Sequence, residues 1–161
     1  MSSKEFKFIG FIGLGVMGCS MSKNLLKNKN WNVLVKDLDV NKEKELENHG
    51  AKVADDVKDI FKFSDLVITC LPGGNFVEDL YFGKSNNISN IKNNQFIVDM
   101  STSQPDLMIR LEDEIKTKGS HFADAPIART RQAAIDGTLA IMVGSTTNAV
   151  SYTHLTLPTK A

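Results

Sequence analysis

Lys7-Phe8-Ile9-Gly10-Phe11-Ile12-Gly13-Leu14-Gly15-Val16-Met17-Gly18 is the stretch that decides the fold. Lys7 to Ile12 is a short apolar run and reads as a buried strand. From Met17 to Lys29 the period changes to that of a helix, with Met17, Met21 and Leu25 on one face. Between strand and helix stands G-x-G-x-x-G, and each glycine has a physical task. Gly13 permits a tight turn, Gly15 lets a pyrophosphate approach the backbone, and Gly18 lets the helix pack closely on the strand. The N–H groups at the start of the helix have no partner within it and face an anion. Gly13, Leu14, Gly15, Val16, Met17 and Gly18 are therefore candidate dinucleotide-binding residues.

Outward from this stretch, apolar runs alternate with helix-period segments. Val33 to Val35 reads as a second strand, Asn41 to Asn48 as a charged helix stopped at Gly50, and Asp55 to Phe61 as a short helix. Leu66 to Leu71 is a continuous apolar strand ended by Pro72-Gly73-Gly74, and Phe76 to Phe82 is a helical turn. Phe96 to Met100 is another strand. Pro105 opens a helix striped by Leu107, Leu111 and Ile115 and closed by Gly119. His121 to Ala123 and Leu139 to Val143 complete the expected strands, and Ser85 to Asn94 is a polar loop. Runs apolar on both faces, separated by helices, predict an α/β fold with a doubly wound, mostly parallel sheet.

Asp37 ends the second strand, nineteen residues past Gly18. An acid at this place accepts hydrogen bonds from the ribose hydroxyls of a dinucleotide and repels a 2′-phosphate. No arginine stands beside it, and Lys36 alternates away from it. NAD is the expected cofactor, in preference to NADP.

Composition excludes several other functions. The 161 residues carry nineteen basic and nineteen acidic side chains, so no electrostatic footprint marks a nucleic-acid or membrane partner. The two cysteines, Cys19 and Cys70, form neither a CxxC pair nor a disulfide framework, which fits a cytoplasmic location and no metal site. The apolar stretch from Phe8 to Met21 is broken by four glycines and is shorter than the roughly 20 residues a spanning helix needs. A secretory leader needs a basic start and a small-residue cleavage site, whereas here Glu5 sits in the start and no A-x-A follows.

The residues also carry a family likeness. Phe11 to Gly18, continued by Met21-Ser22-Lys23-Asn24-Leu25, resembles the opening signature of the β-hydroxyacid dehydrogenases. These include 3-hydroxyisobutyrate dehydrogenase, tartronate semialdehyde reductase and relatives of 6-phosphogluconate dehydrogenase. Three further stretches agree in order: Asp65 to Pro72; Val98 to Thr102 with Pro105; and Asp124-Ala125-Pro126 with Gly137-Thr138-Leu139 and Met142-Val143-Gly144. The resemblance implies a Rossmann-like domain over residues 7–149 that holds NAD(P) for hydride transfer between a small β-hydroxyacid and its semialdehyde. It places Leu71 and Pro72 beneath the cofactor and Ser101 and Thr102 near its nicotinamide end. Ser101 to Ser103 can equally cap the helix that Pro105 opens.

The chain departs from the family pattern after Pro126. Where the family has Val-Ser-Gly-Gly, this sequence has Ile127, Ala128, Arg129 and Thr130, followed by Arg131. The loop resembles the Gly-Arg-Thr version of the sulfolactaldehyde reductase branch. Arg129 and Thr130 are the candidate substrate residues, the guanidinium suiting bidentate capture of a carboxylate, sulfonate or phosphate. The expected partner is thus a small acidic substrate, with homo-oligomers implied for the whole protein. The family's catalytic lysine lies in a G-x-x-G-x-x-x-K motif that this sequence does not contain, so no catalytic residue is assigned. His49 and His121 lie outside every matched motif. Residues 150–161 break in character with the text before them, and Val150 to Thr159 reads as translated sequencing adapter. A non-catalytic dinucleotide-binding module remains the alternative from another class.

Overall fold

A computed structural model describes residues 6–128 and 130–144. Its frame is a six-stranded parallel sheet in the order β3-β2-β1-β4-β5-β6. The strands are β1 (Phe8–Ile12), β2 (Asn32–Lys36), β3 (Lys52–Val53), β4 (Leu66–Thr69), β5 (Phe96–Asp99) and β6 (His121–Asp124). Helices α1 (Val16–Leu25), α2 (Val40–Glu47), α3 (Val57–Phe63), α4 (Gly74–Phe82) and α5 (Pro105–Thr117) make the crossovers. A further helix, α6 (Arg131–Asp136), lies between β7 (Ile127–Ala128) and β8 (Ala140–Ile141).

Strands apolar on both faces need cover on both, and two buried clusters provide it. Cys19, Met21 and Leu25 of α1 and Leu46 of α2 pack with Ile9, Phe11, Val33 and Val35 on one face. Ile60, Phe61, Tyr81, Leu111 and Ile115 pack with Val67, Ile97 and Phe122 on the other. On the first face an apolar groove runs over β4, β5 and β6, lined by Ile68, Val98, Met100, Ala123, Ile141 and Val143.

The doubly wound parallel sheet is as the alternation predicts, with several local differences. The Leu139–Val143 run does not join the parallel sheet. Its β8 portion pairs antiparallel with β7, and Gly144 bridges antiparallel to Asp124. A short apolar run needs only one apolar neighbour, and here β7 and the groove supply it. The first helix ends at Leu25 rather than Lys29, its last turns closing through Lys27 N–H to Asn24 O and Asn28 N–H to Leu25 O. The third begins two residues later than expected, where the Asp56 carboxylate accepts from Lys58 N–H. Phe76–Phe82 is part of the full helix α4. The polar loop contains a 3₁₀ turn, Asn87–Asn90, held where Asn87 Nδ2 donates to Leu80 O at 2.8 Å. β3 and α6 are additions that the pattern did not announce. Arg129 and residues 145–161, including the end of the expected domain and the adapter-like stretch, lie outside the described residues.

Candidate functional site: the switch point of the sheet

In the order 3-2-1-4-5-6, the crossovers leave β1 and β4 in opposite directions, and a crevice opens at the carboxyl ends of these two strands. The glycine turn leaves β1 at this point and the Cys70-Leu71 turn leaves β4. The two are in contact. A Cβ on Gly13 would strike the Cys70 carbonyl oxygen and come within 2.9 Å of the Leu71 side chain. Gly13 also holds φ +94°, a left-handed backbone that side chains disfavour. Its N–H donates to Lys36 O at 3.1 Å, tying the turn to β2.

Gly15 and Gly18 divide the remaining work. A Cβ on Gly18 would collide with the Gly13 carbonyl oxygen and crowd the Phe11 ring at 3.1 Å, so α1 can approach β1 only without a side chain there. A Cβ on Gly15 would meet no atom within 4 Å. Gly15 is the N-cap of α1, and no side chain caps it. The first amides of α1 therefore point into open space, as an anion site requires. Val16 is exposed beside them, Met17 is half-buried, and the Leu14 side chain is wholly inside the core.

Asp37 stands across this turn. Its Oδ2 accepts from Leu14 N–H at 2.5 Å and its Oδ1 from Asp39 N–H at 2.8 Å. The Leu14 amide is thus committed to Asp37 and leaves the phosphate site to the amides of α1. Behind it is Glu43, whose 4% exposure no reading of its charged helix anticipates. Glu43 Oε1 accepts from Asp37 N–H at 3.1 Å and pairs with Lys36 Nζ at 3.0 Å. The signal in the sequence was an i, i+6 acid pair across a helix start, too weak to single out alone.

The far side of the crevice is built by the turns after β4 and β5. Leu71 is half-buried and Pro72 exposed. Ser101 is buried, donates to Asp99 Oδ1 at 2.8 Å, and accepts from Leu71 N–H at 2.9 Å. It does not cap α5, whose N-cap is Gln104 with no side-chain bond. Thr102 is exposed beside it, on a depression it shares with Gly74, Asn75 and Ser103. Cys70 is no nucleophile: burial first, then the Asp99 charge, push its thiol up to about 11.

Beyond β6 the structure brings less together. Thr130 is exposed, and its hydroxyl accepts from Ala133 N–H at 3.4 Å as the cap of α6. The two histidines among the described residues are occupied elsewhere. His49 Nδ1 meets Glu45 O at 2.7 Å, and His121 stacks on Phe96 with centroids 4.4 Å apart.

A parallel sheet in this order, with a glycine turn at its switch point and an acid closing the second strand, defines a Rossmann-type dinucleotide-binding domain. The chain belongs to the family of the NAD binding domain of 6-phosphogluconate dehydrogenase, whose model matches residues 8–159. It is 41% identical over 138 residues to the uncharacterized oxidoreductase YkwC of Bacillus subtilis, covering 86% of this chain and 48% of that protein. It is 33% identical over 142 residues to 3-sulfolactaldehyde reductase of Escherichia coli, covering 88% of this chain and 47% of that one. The structure of 3-hydroxyisobutyrate dehydrogenase from Mycobacterium tuberculosis superposes with a TM-score of 0.87 at 26% identity, over 98% of this chain and 53% of that one. The chain thus spans about half the length of these relatives. Among the described residues no helix is long and apolar enough to cross a membrane.

Proposed function

We propose that this chain is the cofactor-holding portion of an oxidoreductase that interconverts a small β-hydroxyacid and its semialdehyde, with NAD preferred over NADP. The carrying observation is the Asp37 carboxylate, held against the glycine turn by Leu14 N–H at 2.5 Å. A carboxylate has about four lone-pair sites, and two are used here, so ribose hydroxyls can take the others. The same charge opposes a 2′-phosphate, and the neighbouring Lys36 is neutralised by Glu43.

The residues fit the group. Gly15 keeps the approach to the α1 amides open, so that the amides of Val16, Met17 and Gly18 receive the pyrophosphate. Leu71 and Pro72 support the nicotinamide end, with Ser101 and Thr102 beside it. A bound nicotinamide supplies hydride chemistry. This chain's side chains hold and orient it, and the proton for the substrate oxygen comes from elsewhere in the whole protein. The 33% identity to a 3-sulfolactaldehyde reductase, together with Arg129 in the sequence Ala128-Arg129-Thr130, supports an aldehyde with a sulfonate or phosphate tail as the second substrate reading. The exposed Thr130 hydroxyl, an acceptor for Ala133 N–H, adds a second polar group to this reading.

The test is titration with NADH and NADPH, followed by assay of the whole protein with carboxylate- and sulfonate-tailed substrates. NADH binding tighter than NADPH supports the cofactor reading. Equal affinity or NADPH preference overturns it. Turnover of the sulfonate alone selects the second substrate reading.

A further inference from the structure

Asp99 is a buried acid to which the reading above gives no task. It ends β5 with none of its surface exposed. Its Oδ1 accepts from Thr69 Oγ1 at 2.5 Å and from Ser101 Oγ at 2.8 Å. Ser101 Oγ then accepts from Leu71 N–H at 2.9 Å. One carboxyl oxygen therefore joins the end of β4, the turn that follows it, and the turn that follows β5. Backbone bonds reinforce the same corner: Met100 N–H donates to Thr69 O and Ala125 N–H to Asp99 O, both at 2.7 Å. Tyr81 of α4 is wholly buried in the core cluster with Val67 of β4 and Ile97 of β5.

Burial of a carboxyl group is costly, and an apolar residue of similar size would serve a core at least as well. What an apolar residue cannot do is set the direction of the hydrogen bonds. Asp99 Oδ1 is a pure acceptor, so the Ser101 hydroxyl spends its proton on it and turns a lone pair to the Leu71 amide. Leu71 is then fixed where, with Cys70, the β4 turn meets the glycine turn. Given the dinucleotide reading above, we propose that Asp99 is a positioning residue: through Ser101 it holds the Leu71-Pro72 and Ser101-Thr102 turns in the arrangement that receives the nicotinamide half of the cofactor. The adenosine half is left to the glycine turn and Asp37.

Two ligands separate these halves. ADP-ribose has the adenosine and pyrophosphate but no nicotinamide, and NADH has all three. The 161-residue chain and its Asp99→Asn, Asp99→Leu and Ser101→Ala variants are titrated calorimetrically with each. Asp99→Leu and Ser101→Ala are expected to lose about tenfold in NADH affinity, the loss of roughly one well-formed hydrogen bond's worth of ordering. ADP-ribose affinity stays within about twofold in all variants by the same measure. Asp99→Asn keeps an acceptor oxygen at Oδ1 and stays within about threefold of the parent for both ligands. Because Asp99 and Ser101 act in one chain of bonds, the double variant is no worse than the poorer single one. Ser101→Ala deletes one hydroxyl and decides the matter if Asp99→Leu does not fold. Equal losses for both ligands, or an unchanged NADH affinity in folded Ser101→Ala, overturn the positioning role while the dinucleotide reading stands. A parent chain that binds neither ligand overturns that reading, and this one with it.

Discussion

The backbone N–H of Leu14 donates to Oδ2 of Asp37 at 2.5 Å, so the glycine turn and the end of β2 are locked together across 23 residues of chain. The lock has two consequences. It fixes the acid to which the proposed NAD preference is assigned, and it removes one amide from those available to a phosphate. Asp37→Ala releases both. NADH affinity is expected to fall about tenfold while NADPH affinity is unchanged or rises, bringing their ratio toward one. Titration of both cofactors against parent and variant reads the ratio directly. A ratio that does not move would mean that Asp37 serves the turn alone.

Gly15 and Gly18 make a matched pair of substitutions with opposite effects. Gly18→Ala places a methyl group against the Gly13 carbonyl oxygen, which is backbone and cannot swing away. A loss of about 1–3 kcal/mol in denaturant unfolding is expected from this overpacking. Gly15→Ala meets open space at φ −60°, a backbone alanine adopts freely, so stability holds or rises slightly. Its cost falls on dinucleotide binding, because the methyl group occupies the approach to the α1 amides. Loss of stability without loss of binding in Gly15→Ala would reverse the assignment.

The Asp99 carboxyl is held above the usual carboxylate range, chiefly because burial strips it of water, with Asp124 adding to the effect. The bonds from Thr69 and Ser101 pull the other way without cancelling it. The folded chain thus keeps a proton that the unfolded chain has released, over the window from the unfolded value of about 3.9 up to the raised folded one. The contribution of this site to stability is complete below that window and is lost as pH rises through the folded value. Asp124, raised by its own desolvation, acts with the same sign. Asp99→Asn does not titrate, so its melting temperature is expected to exceed the parent's at neutral pH, with the gap closing toward pH ~4. Melts across that range check it. A gap independent of pH would assign the difference to packing.

Asn24 is the tie between α1 and α6. It is 5% exposed, and its Nδ2 donates to Ala134 O at 2.8 Å while its Oδ1 accepts from Lys27 Nζ at 2.5 Å. Asn24→Ala leaves a buried carbonyl without its donor, at an expected cost of about 1–3 kcal/mol. Faster hydrogen exchange confined to Ala133–Ile135 would locate the loss at this joint. Uniform acceleration across the sheet would show that α6 is not separately held.

How far the sequence could be read depended on how local each feature is. β1, the glycine turn and α5 follow from neighbours along the chain: an apolar run, three glycines, a proline at the first helical position. β3 is two residues long, and Lys52 and Val53 become a strand only by pairing with Leu34 and Val35. α6 did leave local marks, with Thr130 accepting from Ala133 N–H at one end and Gly137 at φ +70° at the other, but six residues are too few for a period to declare itself. The Leu139–Val143 run has a strand's composition, and only its distant partner Ile127 shows that it lies outside the main sheet. Glu43 and Asp99 were hidden for the same reason. Glu43 is buried against Lys36 and Asp37 of the preceding strand end, and Asp99 against Thr69 thirty residues away as well as its near neighbour Ser101, so only the fold completes the set of partners.

β1 lies in the middle of the sheet, with Ile9 opposite Val33 on one side and Leu66 on the other. Both of those strands come later in the chain. During synthesis β1 is therefore flanked only when β4 has been made, and until then the edge that β4 will occupy stays unpaired. Parallel pairing of this kind must close long loops before it is rewarded, so refolding is expected to be slow and sensitive to concentration. The strand that carries the glycine turn thus owes its place to a partner made much later in the chain.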